Sequence, residues 1–240
     1  MSKKINRFWE IDILRGIALI LMIIYHILYD LNYFNIYKIN FDTFLFEIYK
    51  YGAASIFVIL VGVSLSLSYG RIKNKKNVKE VYFKFLKRGL GIFAMGLIIT
   101  LVSWLYIPEG FIVFGILHFI GIAIILAIPF LKLENYLLPL SLCFIFIGIL
   151  LNSFIVDFKW LLWLGLIPSN FFTVDYFPLL PWFGVVLLGI FVGKKLYPNH
   201  KRSFHLNDMS EHRSVKILSK RIKDLWIWSY YNACHMDLSS

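Results

Sequence analysis

The stretch from Arg7 to Asp30, RFWEIDILRGIALILMIIYHILYD, constrains the fold more than any other part of the chain. It is an apolar run long enough to cross a bilayer, yet it carries Asp12, Arg15, His26 and Asp30. A helix advances about 100° per residue, so side chains eleven or eighteen residues apart return to nearly the same face. Arg15 and His26 stand eleven apart, Asp12 and Asp30 eighteen, and His26 and Asp30 one helical step of four. All four polar groups therefore project from a single stripe of a greasy helix. Charges within a membrane helix are costly and face a protein interior or a water-filled cavity. That stripe is where function is expected.

Five further apolar segments recur at membrane-spanning length or close to it, and composition agrees with them. The 240 residues are 59% hydrophobic and 16% charged, against about a quarter charged in soluble domains. We expect an all-α, polytopic transmembrane helical bundle with about six spans. They cover roughly Asp12–Tyr33, Tyr51–Tyr69, Gly89–Leu105, Phe111–Leu131, Tyr136–Ile155 and Pro178–Val192. Trp160–Ile167 is apolar but too short to cross, and reads as re-entrant or interfacial. The first apolar run is too long for a cleavable signal peptide, and no small-residue cleavage site follows it.

Positive charge gathers in alternate connections. Lys3, Lys4 and Arg7 precede the first span, eight Lys and Arg fall between Arg71 and Arg88, and Lys194, Lys195, Lys201 and Arg202 follow the sixth. By the positive-inside rule both termini are cytoplasmic, and six spans close that parity. The net charge of +11 is thus explained by topology and by anionic membrane lipids, with no nucleic-acid motif beside it. A polyanionic cofactor such as coenzyme A is the alternative reading of the loop after the second span. The organisation expected is a transmembrane domain over 1–196 and an atypical basic cytoplasmic tail over 197–240.

On that topology His26 and His118 each lie about seven residues, roughly 10 Å, below the outer end of their helices. Neutral imidazole can take a proton from an alcohol or amine and return it. His26, His118 and Asp30, which could orient the His26 ring, form the candidate catalytic set. Arg15 and Asp12, near the inner end, are either a salt bridge or the contact for a donor entering from the cytoplasm. Asp175, Tyr176 and Trp182 surround the proline-broken entry to the last helix, PLLPWFG, and are candidates for a hydroxyl-rich acceptor. Ser55, Ser64, Ser66 and Ser68 beside Gly62 read as helix-packing residues rather than nucleophiles. No ligand spacing points to a metal, and Cys143 and Cys234 suggest neither a disulfide framework nor a metal site.

Four segments carry a resemblance. EIDILRGIALILMIIYHILYDL, GAASIFVILVGVSLSLS, GILHFIGIAI and DYFPLLPWFGVVLLGIFVG, over residues 7–195, resemble bacterial membrane proteins related to the heparan-α-glucosaminide N-acetyltransferase catalytic domain. In the wider clan of integral-membrane acyltransferases, an Arg followed after ten residues by a His is tied to acyl transfer. Here it falls on Arg15 and His26. The resemblance implies an acetyl-CoA-dependent acyltransferase of the cell membrane, with a glycan or amino-sugar acceptor at the outer face. A homo-oligomer is left open. Relatives continue into a further helix with a pattern such as LGxxSLxIYLxHQP. This chain ends ILSKRIKDLWIWSYYNACHMDLSS, so a truncated or frameshifted tail, and with it an inactive copy, is an expectation. A proton-coupled or small-molecule transporter is the competing class, because buried charges also line transport paths.

Overall fold

The computed structural model describes residues 8–41, 43–73, 77–169, 171–198 and 201–205. Among these residues there are six helices: α1 (Trp9–Tyr33), α2 (Phe44–Ile72), α3 (Val78–Tyr106), α4 (Ile116–Phe130), α5 (Leu137–Leu151) and α6 (Leu179–Leu196). The fold is an all-α membrane bundle. The helices α1, α2, α3 and α6 are long and apolar enough to cross a membrane, while α4 and α5 are shorter apolar helices of 15 residues. Of the tail expected over 197–240, residues 199–200 and 206–240 lie outside the described residues, as do Arg7 and the stretch 74–76.

The chain forms two compact units, one made of 1–60 with 204–240, the other of 61–203. In the first, α1 and the opening half of α2 are joined by aromatic side chains. Tyr49 donates its hydroxyl to the Leu21 carbonyl at 2.6 Å. Tyr25, Tyr29, Phe41 and Phe46 build a ring cluster around it, with Phe41 and Phe46 centroids 4.5 Å apart. The α1–α2 connection is fixed by Asn32, whose side-chain oxygen accepts from the Ile39 backbone N–H at 2.9 Å.

The second unit is built by close helix crossings. In a bilayer, packing and hydrogen bonding must draw helices together, so small residues at the seam matter. Gly62 of α2 sits against α6, where an added Cβ would fall 2.8 Å from the Ile190 nitrogen. Gly89 of α3 and Gly121 of α4 meet reciprocally: a Cβ on Gly89 would lie 2.7 Å from the Gly121 carbonyl oxygen. Ser66 turns its hydroxyl back to the Val63 carbonyl at 2.9 Å, which is the packing role expected for it.

The helix α6 is the buried centre of this unit, with Val186, Leu187 and Ile190 fully enclosed. Its entry is broken as the prolines require. Leu180 is non-helical at φ −107° and ψ 133°. The N–H groups freed there are recovered by a neighbouring segment: Leu179 donates to the Trp163 carbonyl at 2.7 Å and Leu180 to that of Leu164 at 3.1 Å. Backbone that leaves helical form at membrane depth needs such partners. The segment supplying them is the short apolar stretch 160–167, a run of turns between two two-residue parallel strands, β1 (Ile155–Val156) and β2 (Ile167–Pro168).

Candidate functional site

In α1 an uninterrupted helix keeps Asp12, Arg15, His26 and Asp30 at helical spacing. Arg15 Nη1 contacts Asp12 Oδ1 at 3.1 Å, an i,i+3 ion pair whose side chains are 30% and 18% exposed. The guanidinium is thus neutralised in part but still reachable. His26 and Asp30 are exposed on the same helix. The His26 ring meets the neighbouring Tyr25 edge-on, centroids 5.8 Å apart. No hydrogen bond or ion pair joins His26 to Asp30 among the described residues. Along the axis Arg15 and His26 are separated by roughly 16 Å, eleven residues at 1.5 Å each.

The second unit brings together His118, Asp175 and Tyr176, with Trp182 at the same joint. The α4 helix begins at Ile116, five residues later than expected, because 111–115 is non-helical. Phe114 and Tyr176 form a parallel bridge, and Phe177 donates to the Phe114 carbonyl at 2.9 Å. His118 therefore stands in the first turn of its helix, not seven residues inside it. The expected start of that helix is corrected: strand-like pairing with 174–177 holds the lead-in out of helix.

At that first turn the side chains serve the backbone. Asp175 Oδ2 accepts from the Ile116 N–H at 3.0 Å, one of the donors a helix start leaves unpaired. A carboxylate there also faces the positive end of the helix dipole. His118 Nδ1 accepts from the Gly115 N–H at 3.3 Å, and Nε2 lies 3.2 Å from Thr100 Oγ1. A backbone N–H can only donate, so Nδ1 carries the lone pair and a neutral ring has its proton on Nε2, directed at Thr100. The ring is 2% exposed. Phe114 stacks on it at 5.7 Å and Phe93 meets it edge-on at 5.4 Å, while Gly96 of α3 leaves just enough room, since a Cβ there would touch the ring at 3.0 Å.

Tyr176 donates its hydroxyl to the Leu162 carbonyl at 2.7 Å, tying the loop before α6 to the turn segment. Burial pushes its phenol well above the ordinary value, so it stays protonated as a donor. Trp182 is buried, its ring tilted on Phe177 at 4.8 Å. Thr100, Ser103 and Thr173 belong to the same joint and escaped the sequence reading. Ser103 Oγ accepts from the Ile112 N–H at 3.0 Å, and Thr173 donates to the Phe111 carbonyl at 2.8 Å. A Thr or Ser in an apolar helix gives no sign of its partner: that of Thr100 lies on α4, and that of Ser103 in the lead-in to α4. Among the described residues no three His, Cys, Asp or Glu side chains cluster as metal ligands.

A family model described as heparan-alpha-glucosaminide N-acetyltransferase, catalytic, matches residues 7–230. No curated protein and no solved structure matches the chain.

Proposed function

The chain belongs to the heparan-alpha-glucosaminide N-acetyltransferase catalytic family, and we propose that it is a cell-membrane acetyltransferase moving an acetyl group from cytoplasmic acetyl-CoA to a sugar or amino-sugar acceptor at the outer face. The membrane acetyltransferase kind of activity comes with the family. The observation supporting the finer reading is the unbroken α1, which sets Arg15 and His26 on one stripe with their side chains accessible.

His26 acts as the base. Its neutral imidazole takes the proton from an acceptor hydroxyl or amine as that atom bonds to the acetyl carbon. The thioester C–S bond breaks, and the imidazolium returns the proton to the departing thiolate. Asp30, one turn further along, stabilises the imidazolium by charge rather than through a preformed hydrogen bond. Arg15, held by Asp12, contacts the donor. The roughly 16 Å between Arg15 and His26 is bridged by a long flexible donor arm.

His118 has a different part. With both nitrogens engaged, it positions the start of α4, as Asp175 does, and Tyr176 and Trp182 fix the entry to α6. Purified protein in proteoliposomes, supplied with labelled acetyl-CoA and an amino sugar, tests this. The parent transfers acetyl, and His26→Ala lowers the rate about 10²–10⁴-fold. Transfer by His26→Ala at the parental rate overturns the assignment. Flux of the sugar without acetylation points to a transporter instead.

A further inference from the structure

At the end of the second unit where α2 and α6 finish and α4 turns into α5, there is an open cavity of about 860 Å³. Four lysines line it: Lys73 just beyond α2, Lys132 in the α4–α5 turn, and Lys194 and Lys195 in the last turn of α6. Glu134 is the one carboxylate among the described lining residues. Lys194 is half-buried, and its Nζ donates to the Leu133 carbonyl at 2.6 Å. An ammonium has three donors, and among the described residues that carbonyl is its one hydrogen-bond partner. Two of its N–H groups are therefore available to the cavity.

The plainest explanation of these lysines is that they neutralise helix ends. Three helix C-termini converge here, each worth about half a negative charge. Together with Glu134 they offset between two and three of the four positive charges. Roughly one to two remain uncompensated, and the N-terminus of α5 at the same turn adds about half a positive charge, a total close in size to the charge of a phosphate monoester at neutral pH. The cations also come from three separate elements and ring a concavity, which surface lysines serving only topology do not need to do. Basic cavities between membrane helices are suited to phosphate-bearing head groups.

We propose that this cavity is a phosphate-binding site, taking a phosphate borne either by the nucleotide part of the acyl donor or by an anionic lipid headgroup. The nucleotide source rests on the acetyltransferase reading above; the lipid source does not. In both cases Lys194 is the half-buried anchor, while Lys132 and Lys195, both exposed, close around the anion from the rim.

The test uses the full chain in nanodiscs. In phosphatidylcholine discs, calorimetry measures coenzyme A and pantetheine, which shares the arm but lacks the nucleotide phosphates. In mixed discs, mass spectrometry measures enrichment of phosphatidylglycerol around the protein. The variants are the double Lys132→Gln/Lys195→Gln, whose exposed positions leave folding alone, and Lys194→Gln. A tenfold or greater loss of coenzyme A affinity in the variants, with pantetheine unchanged, establishes the site with the donor as source. Unchanged coenzyme A binding with loss of phosphatidylglycerol enrichment establishes it with lipid as source. If the double variant binds coenzyme A and enriches phosphatidylglycerol as the parent does, the site is overturned. Acetyl transfer on the same preparations separates the two proposals. Normal transfer with neither ligand affected removes the cavity and spares the acetyltransferase. Phosphate binding lost in the variants of a parent that transfers nothing does the reverse.

Discussion

Gly115 on one side and Thr100 on the other leave the His118 imidazole no unengaged nitrogen. For a proton acceptor that is a poor arrangement, because the only lone pair of the neutral ring is occupied by a backbone N–H. For a side chain that must start a helix inside a protein it is a good one. His26 is the opposite case, exposed and unpaired to Asp30 among the described residues. The two histidines, alike in sequence, should separate in experiment. Replacing His118 by Ala leaves the Gly115 N–H and Thr100 without partners and opens a void beside Gly96. That costs about 2–4 kcal/mol. His26→Ala, at an exposed position, should stay within about 0.5 kcal/mol of the parent. Thermal unfolding in detergent measures both. A His118→Ala protein as stable as the parent would remove the positioning role and return His118 to the catalytic candidates.

At the scale of elements, the long apolar runs gave away all six helices, because period and length are local properties. Helix ends were less legible. Phe44–Tyr51 and Val78–Arg88 are helical although they carry charges, since a helix nucleated in an apolar run continues through residues of adequate propensity. The start of α4 lies later than expected because the bonds that decide it come from Asp175 and Phe177, some sixty residues away. The seams between helices were partly legible: Gly62 and Ser66 read as packing residues and are. Gly52 and Gly62, less than three turns apart on α2, make the distinction measurable. A Cβ at Gly62 meets the backbone of α6, which cannot yield, whereas at Gly52 it meets nothing within 4 Å. Gly62→Ala should destabilise by about 1–3 kcal/mol through overpacking. Gly52→Ala should be neutral or stabilising by up to about 1 kcal/mol, since Ala favours helix over Gly. Equal effects in thermal unfolding would mean that the α2–α6 crossing is not close.

For the molecule as a whole, the second unit has two chemically different ends. One gathers the turn after α3, the lead-in to α4 and the loops before α6: Gly110 accepts from the Val174 N–H at 3.0 Å and Phe114 from Phe177 at 2.9 Å. The other gathers the ends of α2 and α6 with the α4–α5 turn around the lysine-lined cavity. Between Ile107 and Phe177 the first end carries a single Lys, Lys159, in its loops, against Glu109, Asp157 and Asp175. Such asymmetry orients a membrane protein with its lysine-rich end in the cytoplasm. The difficulty is α4, whose 15 residues rise only about 22 Å against a hydrocarbon core of about 30 Å. The non-helical residues 111–115 add reach, and their polar backbone is paired within the protein rather than left to lipid: the Ile112 and Gly115 N–H groups donate to Ser103 and His118, and the Phe111 and Phe114 carbonyls accept from Thr173 and Phe177. On this reasoning Glu109 and Lys132 lie on opposite sides of the membrane although α4 alone is too short to separate them. Single cysteines at these positions, placed in a Cys143→Ser/Cys234→Ser background, test it with a membrane-impermeant maleimide. Glu109→Cys should label in intact cells, and Lys132→Cys only after permeabilisation. Labelling of both from outside would make α4 and α5 a re-entrant hairpin, and the lysine-lined cavity would then open away from the cytoplasm and from any donor made there.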